Sequence, residues 1–156
     1  MLHRIVRHAA TVLTLLCLAV AIPAAAQQLP GRHPGYLHAL GDLRGARWLL
    51  SHQPGDTQVY EGEDAAIQDI EAAMAAIKSA SIDDGKDIND HPHTDVADRG
   101  SRLFHAIAVL KRARQHIEGE EDNPDVRAMR ANALKHIDHA VREAEQAHAA
   151  WLKAKH

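Results

Sequence analysis

The segment HALGDLRGAR, residues 38–47, returns sixty-seven residues later as HAIAVLKRAR, residues 105–114. Five of the ten positions are identical, and Leu40/Ile107 and Arg44/Lys111 are conservative. The same offset pairs Tyr36 with Leu103, Leu37 with Phe104, Ala66 with Ala133 and Ile67 with Leu134. It also pairs Ile70 with Ile137, Glu71 with Asp138, Ala73 with Ala140 and Met74 with Val141. The register does not slip between the two blocks, which points to internal duplication of one supersecondary unit. A chain of this kind must fold as two similar halves that cover each other's apolar faces.

Each half carries two helical stripes. In the first, Tyr36, Ala39, Leu40, Leu43, Ala46 and Leu50 recur at spacings of three and four, followed by Ala66, Ile67, Ile70, Ala73, Met74 and Ile77. In the second, the stripes are Leu103, Ala106, Ile107, Leu110, Ala113 and Ile117, then Leu134, Ile137, Ala140, Val141, Ala144 and His148. A period of 3.6 places each set on one helix face. Strand-type alternation is absent and aromatic residues are only 3% of the chain, so a sheet has no sequence support. SHQPGD (51–56) and GEEDNPD (119–125) break the helices, and Asn123, Pro124 and Asp125 suit a cap, a first helical turn and a positive helix start. The expected fold is all-α, an up-down-up-down four-helix bundle built from two duplicated αα-hairpins. The helices are expected at about 35–50, 58–80, 98–118 and 124–153, with an acidic linker over 82–97.

The N-terminus reads differently. Arg4 and Arg7 precede an apolar run over 9–22, then Pro23 and Ala24–Ala26. That is the layout of a secretory signal peptide, residues 1–26, with cleavage before Gln27; an uncleaved anchor is the alternative. Bulky residues before Cys17 argue against a lipoprotein signal. The mature chain, 27–156, is then expected in the periplasm or secreted, with no membrane span after cleavage. Without Arg4 and Arg7 the balance is sixteen basic against twenty-one acidic residues, a net −5, so nucleic acid is not an expected partner. The single cysteine leaves with the signal, which removes disulfides and thiol chemistry.

Eleven histidines remain in the mature chain. With helices alternating in direction, His38, His91, His93, His105 and His148 all fall at the end that holds the linker, together with Asp83 and Asp84. Imidazoles and carboxylates gathered in space suit borderline divalent ions, so these seven residues are the expected ligands for Cu(II), Zn(II) or Ni(II). His136 and His139, three apart on one helix face, form a second chelating pair. Other readings compete. His105 and His139 lie off their stripes as solvated residues would, and His148 occupies a stripe position as a core histidine would. Trp48, also off its stripe, covers a neighbouring helix or marks a partner surface, and the acidic linker is either a soluble loop or a protein-binding segment.

Sharper templates fail. Glu145-Gln-Ala-His148 has the di-iron spacing, but its repeat position reads Lys78-Ser-Ala-Ser81. A haem bundle would want a methionine where the first helix has Tyr36 and His38, and DDGKDIND misplaces the glycine of a calcium loop. No phosphate loop, nucleotide fingerprint or catalytic triad order is present, so neither haem nor nucleotide is expected and the protein is read as a non-enzyme.

The fourth helix, ALKHIDHAVREAEQAH (133–148), resembles those of the small periplasmic metal-binding helical-bundle proteins. The resemblance covers this helix best and the first and third loosely. It implies a cysteine-free bundle that binds copper and other divalent ions. The chain is also similar to uncharacterised bacterial envelope proteins, for which no activity is implied. The expected function is therefore a periplasmic divalent-metal-binding or metal-buffering bundle. The alternative is a non-enzymatic structural or interaction protein of the cell envelope that binds no metal.

Overall fold

A computed structural model describes residues 33–51, 53, 56, 58–80, 82–92, 96, 98–119 and 126–156. The expected signal peptide, His93 and the expected cap at Asn123, Pro124 and Asp125 lie outside the described residues. Four helices carry the fold: α1 (Pro34–Leu50), α2 (Glu63–Ser79), α3 (Arg99–Glu118) and α4 (Arg127–Lys155). Local chemistry sets their ends. Pro34 opens α1, where its missing N–H costs nothing. Asp98 caps α3 by accepting from the Ser101 N–H at 2.9 Å.

The second helix starts five residues later than its periodicity suggests. Gly62 takes φ +100°, a left-handed conformation that ends any helix running into it from Val59 and Tyr60. Glu63 then begins α2 and accepts from the Tyr60 N–H through Oε1 at 3.0 Å. Only glycine fits at 62, because a Cβ there would stand 2.5 Å from the carbonyl oxygen of Glu143 on α4.

The core is the union of the four stripes. Tyr36, Ala39, Leu40, Leu43, Leu103, Ala106, Leu110, Ala113, Ile70, Ile77, Ile137, Ala140 and Ala144 are all essentially without solvent contact. Each large apolar side chain buried this way stabilises the fold by roughly 1.5–3 kcal/mol. The alanines let α2 and α4 approach closely, and these two helices pack extensively, as do α1 and α3. Ile67, Leu134 and Val141 sit half-buried at the margin of the same core. No described helix is long and apolar enough to cross a membrane.

The all-α four-helix bundle is as expected; the direction of its second hairpin is not. Along the α1–α3 contact His38 lies beside His116, Asp42 against Arg112, and Gly45 beside Val109. Numbers rise on one helix as they fall on the other, so α1 and α3 are antiparallel. Asp69 against His136 and Gly62 against Glu143 make α2 and α4 antiparallel too. Gly100 against Trp151, Phe104 near His148 and Arg114 bonded to Asp138 do the same for α3 and α4. Three antiparallel contacts fix the fourth, and the order is up, down, down, up. The up-down-up-down order is thereby corrected.

The pairs also follow the sequence offset. Arg47 Nε donates to Glu71 at 2.7 Å, and the residues sixty-seven positions on, Arg114 and Asp138, repeat the bond at the same length. The two bonds occupy equivalent positions in the α1–α2 and α3–α4 hairpins, and each hairpin's apolar face is turned on the other.

The long connection makes this arrangement possible. It runs from 80 to 98 between α2 and α3, and α3 begins at the end of the bundle opposite to where α2 stops. The segment must therefore travel the length of the bundle, about 30 Å for a twenty-residue helix. Its described residues form a strap, with 84 and 89–92 lying against α1 between Arg44 and Trp48. Its Ile82 is buried in the core, Ile88 and Val96 pack half-buried against it, and Pro92 lies against Gly45. His91 stacks on Trp48 with ring centroids 4.5 Å apart, so the strap is what covers this tryptophan.

Candidate functional site

The strap's acids are held by cations of the fold. Arg44, 1% exposed, donates from Nη1 and Nη2 to the two oxygens of Asp84 at 3.1 and 2.5 Å, and from Nε to the Asp90 carbonyl at 2.8 Å. Burial would raise the Asp84 carboxyl. The Arg44 hydrogen bond and charge, helped by the Lys86 N–H, outweigh that and hold it below the ordinary carboxylate range. Asp83 accepts from the Gly85 N–H and lies 3.2 Å from Lys78, and both contacts lower its carboxyl. Neither aspartate is presented to a shared metal centre.

The histidines expected beside them are dispersed. His38 stands with His116, at the start of α1 and the end of α3. His105 lies eleven residues earlier on α3, about 16 Å along the axis at 1.5 Å per residue. His105 and His148 accompany Phe104 and Trp151 at the other end, with His148 stacked on Trp151 at 5.9 Å. His91 is on the strap, its Nδ1 3.0 Å from the Pro92 carbonyl. The expected gathering at one pole assumed parallel α1 and α3. Reversal of the second hairpin sends His105 and His148 to the far end from His38, and His93 lies outside the described residues.

Two imidazole–carboxylate groupings form instead. At the first pole His38 and His116 have ring centroids 5.3 Å apart, and His116 Nε2 is 3.6 Å from Asp42 Oδ2. There Arg112 engages both Asp42 oxygens at 2.6–3.1 Å, which commits the carboxylate to a guanidinium and leaves a metal ion beside a fixed positive charge.

The second grouping lies on the α2–α4 seam. Asp69 sits one position before the buried Ile70, on the flank of α2 that faces α4. His136 Nδ1 is 2.7 Å from Asp69 Oδ1, and His139 Nδ1 is 4.0 Å from Asp69 Oδ2. The carboxylate is thus bracketed by two imidazoles from successive positions of one α4 face. Asp69 and His136 are mostly sheltered and His139 is about half exposed, so the group opens to solvent on one side.

Two imidazoles and one carboxylate are a donor set for a borderline divalent ion, at about 2.0–2.2 Å per bond. Such bonds hold neighbouring donors roughly 3.3 Å apart in a tetrahedron. The His136–Asp69 pair, hydrogen-bonded at 2.7 Å, stands closer than that and His139, at 4.0 Å, further out. Among the described residues no three donors have yet closed on one centre. Side-chain rotations that open the His136–Asp69 pair by roughly 0.6 Å and bring the His139 ring nearer by roughly 0.7 Å would complete this one, and its solvent-facing side leaves room for them.

The sequence marked His136 and His139 as a chelating pair but missed Asp69. The signal was available, since Asp69 is the residue sixty-seven positions before His136. In an antiparallel arrangement of repeats, a residue near the two-fold axis meets its own counterpart. Arg44 was likewise legible only as a conservative match to Lys111; its burial depends on the strap.

A scan against protein-family models finds no match, and searches of the curated proteins and of the solved structures find none either.

Proposed function

We propose that the protein binds a divalent transition-metal ion, of the Zn(II), Cu(II) or Ni(II) class, at the α2–α4 seam through Asp69, His136 and His139. The observation that supports this reading is the single carboxylate of one hairpin set between two imidazoles of the other. An ion held there ties the hairpins together across their main contact. The half-open side supports exchange of the ion, as a buffering or carrier role requires. In this reading the N-terminal segment directs the protein to the periplasm or beyond, where metal buffering is exercised outside the cytoplasm.

Calorimetric titration of the full chain with each ion, against His136→Ala and His139→Ala, tests the proposal. One ion bound near micromolar affinity and lost in both variants is the expected result. Affinity weaker than about millimolar for all three ions discards it.

An interaction role in the cell envelope is the second reading. Phe104 (60% exposed) and Leu152 (42% exposed) favour it, beside Trp151 at the end where α3 starts and α4 stops. With Asp83 and Asp84 engaged within the chain, this apolar end serves a protein partner better than the strap does.

A further inference from the structure

The two hairpins meet through the core of the protein, yet only residues 80–98 join them. Each hairpin turns its apolar stripe outward toward the other, with α1 on α3 and α2 on α4 as major contacts. Nothing in those contacts requires that both hairpins belong to one chain. What keeps the second hairpin on its own first is the strap, and the strap is fastened by a buried polar latch. The Arg44 guanidinium donates three hydrogen bonds to it.

We propose that a second copy of this chain is a partner, taken up by reciprocal exchange of the α3–α4 hairpins, with the strap as hinge and Arg44–Asp84 as the latch that opposes exchange. In the exchanged dimer each bundle consists of α1–α2 from one chain and α3–α4 from the other. The Asp69–His136 and Asp42–Arg112 pairs re-form between chains, and the apolar core is unchanged. Only the strap contacts differ between the two states. A latch made of a buried cation depends on its partner being in place, because an unpaired guanidinium cannot stay out of water. Opening the strap lets Arg44 hydrate and frees the segment to extend. Nineteen residues reach about 60 Å when extended, twice the length of the bundle. The inference does not rest on metal binding.

The test uses light scattering on the full chain, refolded at low and at high protein concentration. Arg44→Met together with Asp84→Asn removes the latch but keeps its bulk. The expected result is a dimer-to-monomer ratio at least about tenfold above wild type, which corresponds to losing a contact worth ~1.4 kcal/mol. A ratio unchanged from wild type overturns the proposal.

A second variant adds deletion of residues 82–96 to Arg44→Met. The four residues left between α2 and α3 reach about 17 Å and cannot cross the bundle. A helical dimer is expected, and a helical monomer overturns the proposal; if this variant does not fold, the latch variant decides alone. Exchange is separated from side-by-side pairing with Gly45→Cys and Val109→Cys in a Cys17→Ala background, since a Cβ at 45 lies 4.0 Å from the Val109 side chain. Oxidation links two chains in an exchanged dimer. A dimer that runs as a single chain on a non-reducing gel overturns the proposal.

Discussion

Asp69 and His136 are sixty-seven residues apart in the chain and 2.7 Å apart in space, and sixty-seven is also the offset of the sequence repeat. A residue can touch its own counterpart only near a two-fold axis. The candidate metal site therefore lies where equivalent positions of the two hairpins meet.

If the seam holds an ion, saturating metal will stabilise the fold. At one hundred times the dissociation constant the gain is about 2.7 kcal/mol, a rise of several degrees in melting temperature for a chain of this size. Thermal denaturation with and without Zn(II) measures it. The shift should vanish in His136→Ala and persist in His38→Ala, because His38 is on a different helix contact.

Asp84→Ala should be among the most damaging substitutions in the strap. It strands a guanidinium that is 1% exposed, at a cost of about 3–5 kcal/mol. Urea denaturation should place Arg44→Met Asp84→Ala closer to wild type than Asp84→Ala, since the double variant leaves no buried charge unpaired.

Gly100→Ala should destabilise by about 1–3 kcal/mol through overpacking. A Cβ there would stand 2.2 Å from the Trp151 ring, which no rotamer of alanine relieves. Gly41→Ala is the control, since its Cβ would meet nothing and alanine favours the helix by up to about 1 kcal/mol. Chemical denaturation of both variants should shift in opposite directions.

Stability should fall in acid through the paired carboxylates. For Asp56, burial would raise the carboxyl, but the Gln53 N–H, the Arg102 hydrogen bond and the charges of Arg102 and Arg99 together hold it low; Asp84 is held low by Arg44. A depressed folded value means that the unfolded chain binds protons first as pH drops. The stabilisation is complete above the ordinary carboxylate value of 3.8 and is lost as pH falls through the lower folded values. Denaturation midpoints measured from neutral pH downward should decline more steeply in this range for wild type than for Asp56→Asn.

The sequence alone determined that this chain is four helices with their apolar faces turned inward. Every stripe residue of the first and third helices, from Tyr36 to Leu50 and from Leu103 to Ile117, is buried, because helical periodicity is a local property that any apolar neighbour will satisfy. The short breaks determined antiparallel hairpins for the same local reason. The relative direction of the hairpins was decided only by tertiary structure. A nineteen-residue connection can return to either end of a bundle, and its composition does not say which. The choice falls to the inter-hairpin faces and to Arg44, whose burial needs an acid on a strap laid against the second half of α1. That choice separates His38 from His105 and His148, commits Asp84 to a guanidinium, and brings Asp69 to His136. Which side chains meet across a bundle is a property of packing direction, and direction is not encoded in the period of a stripe.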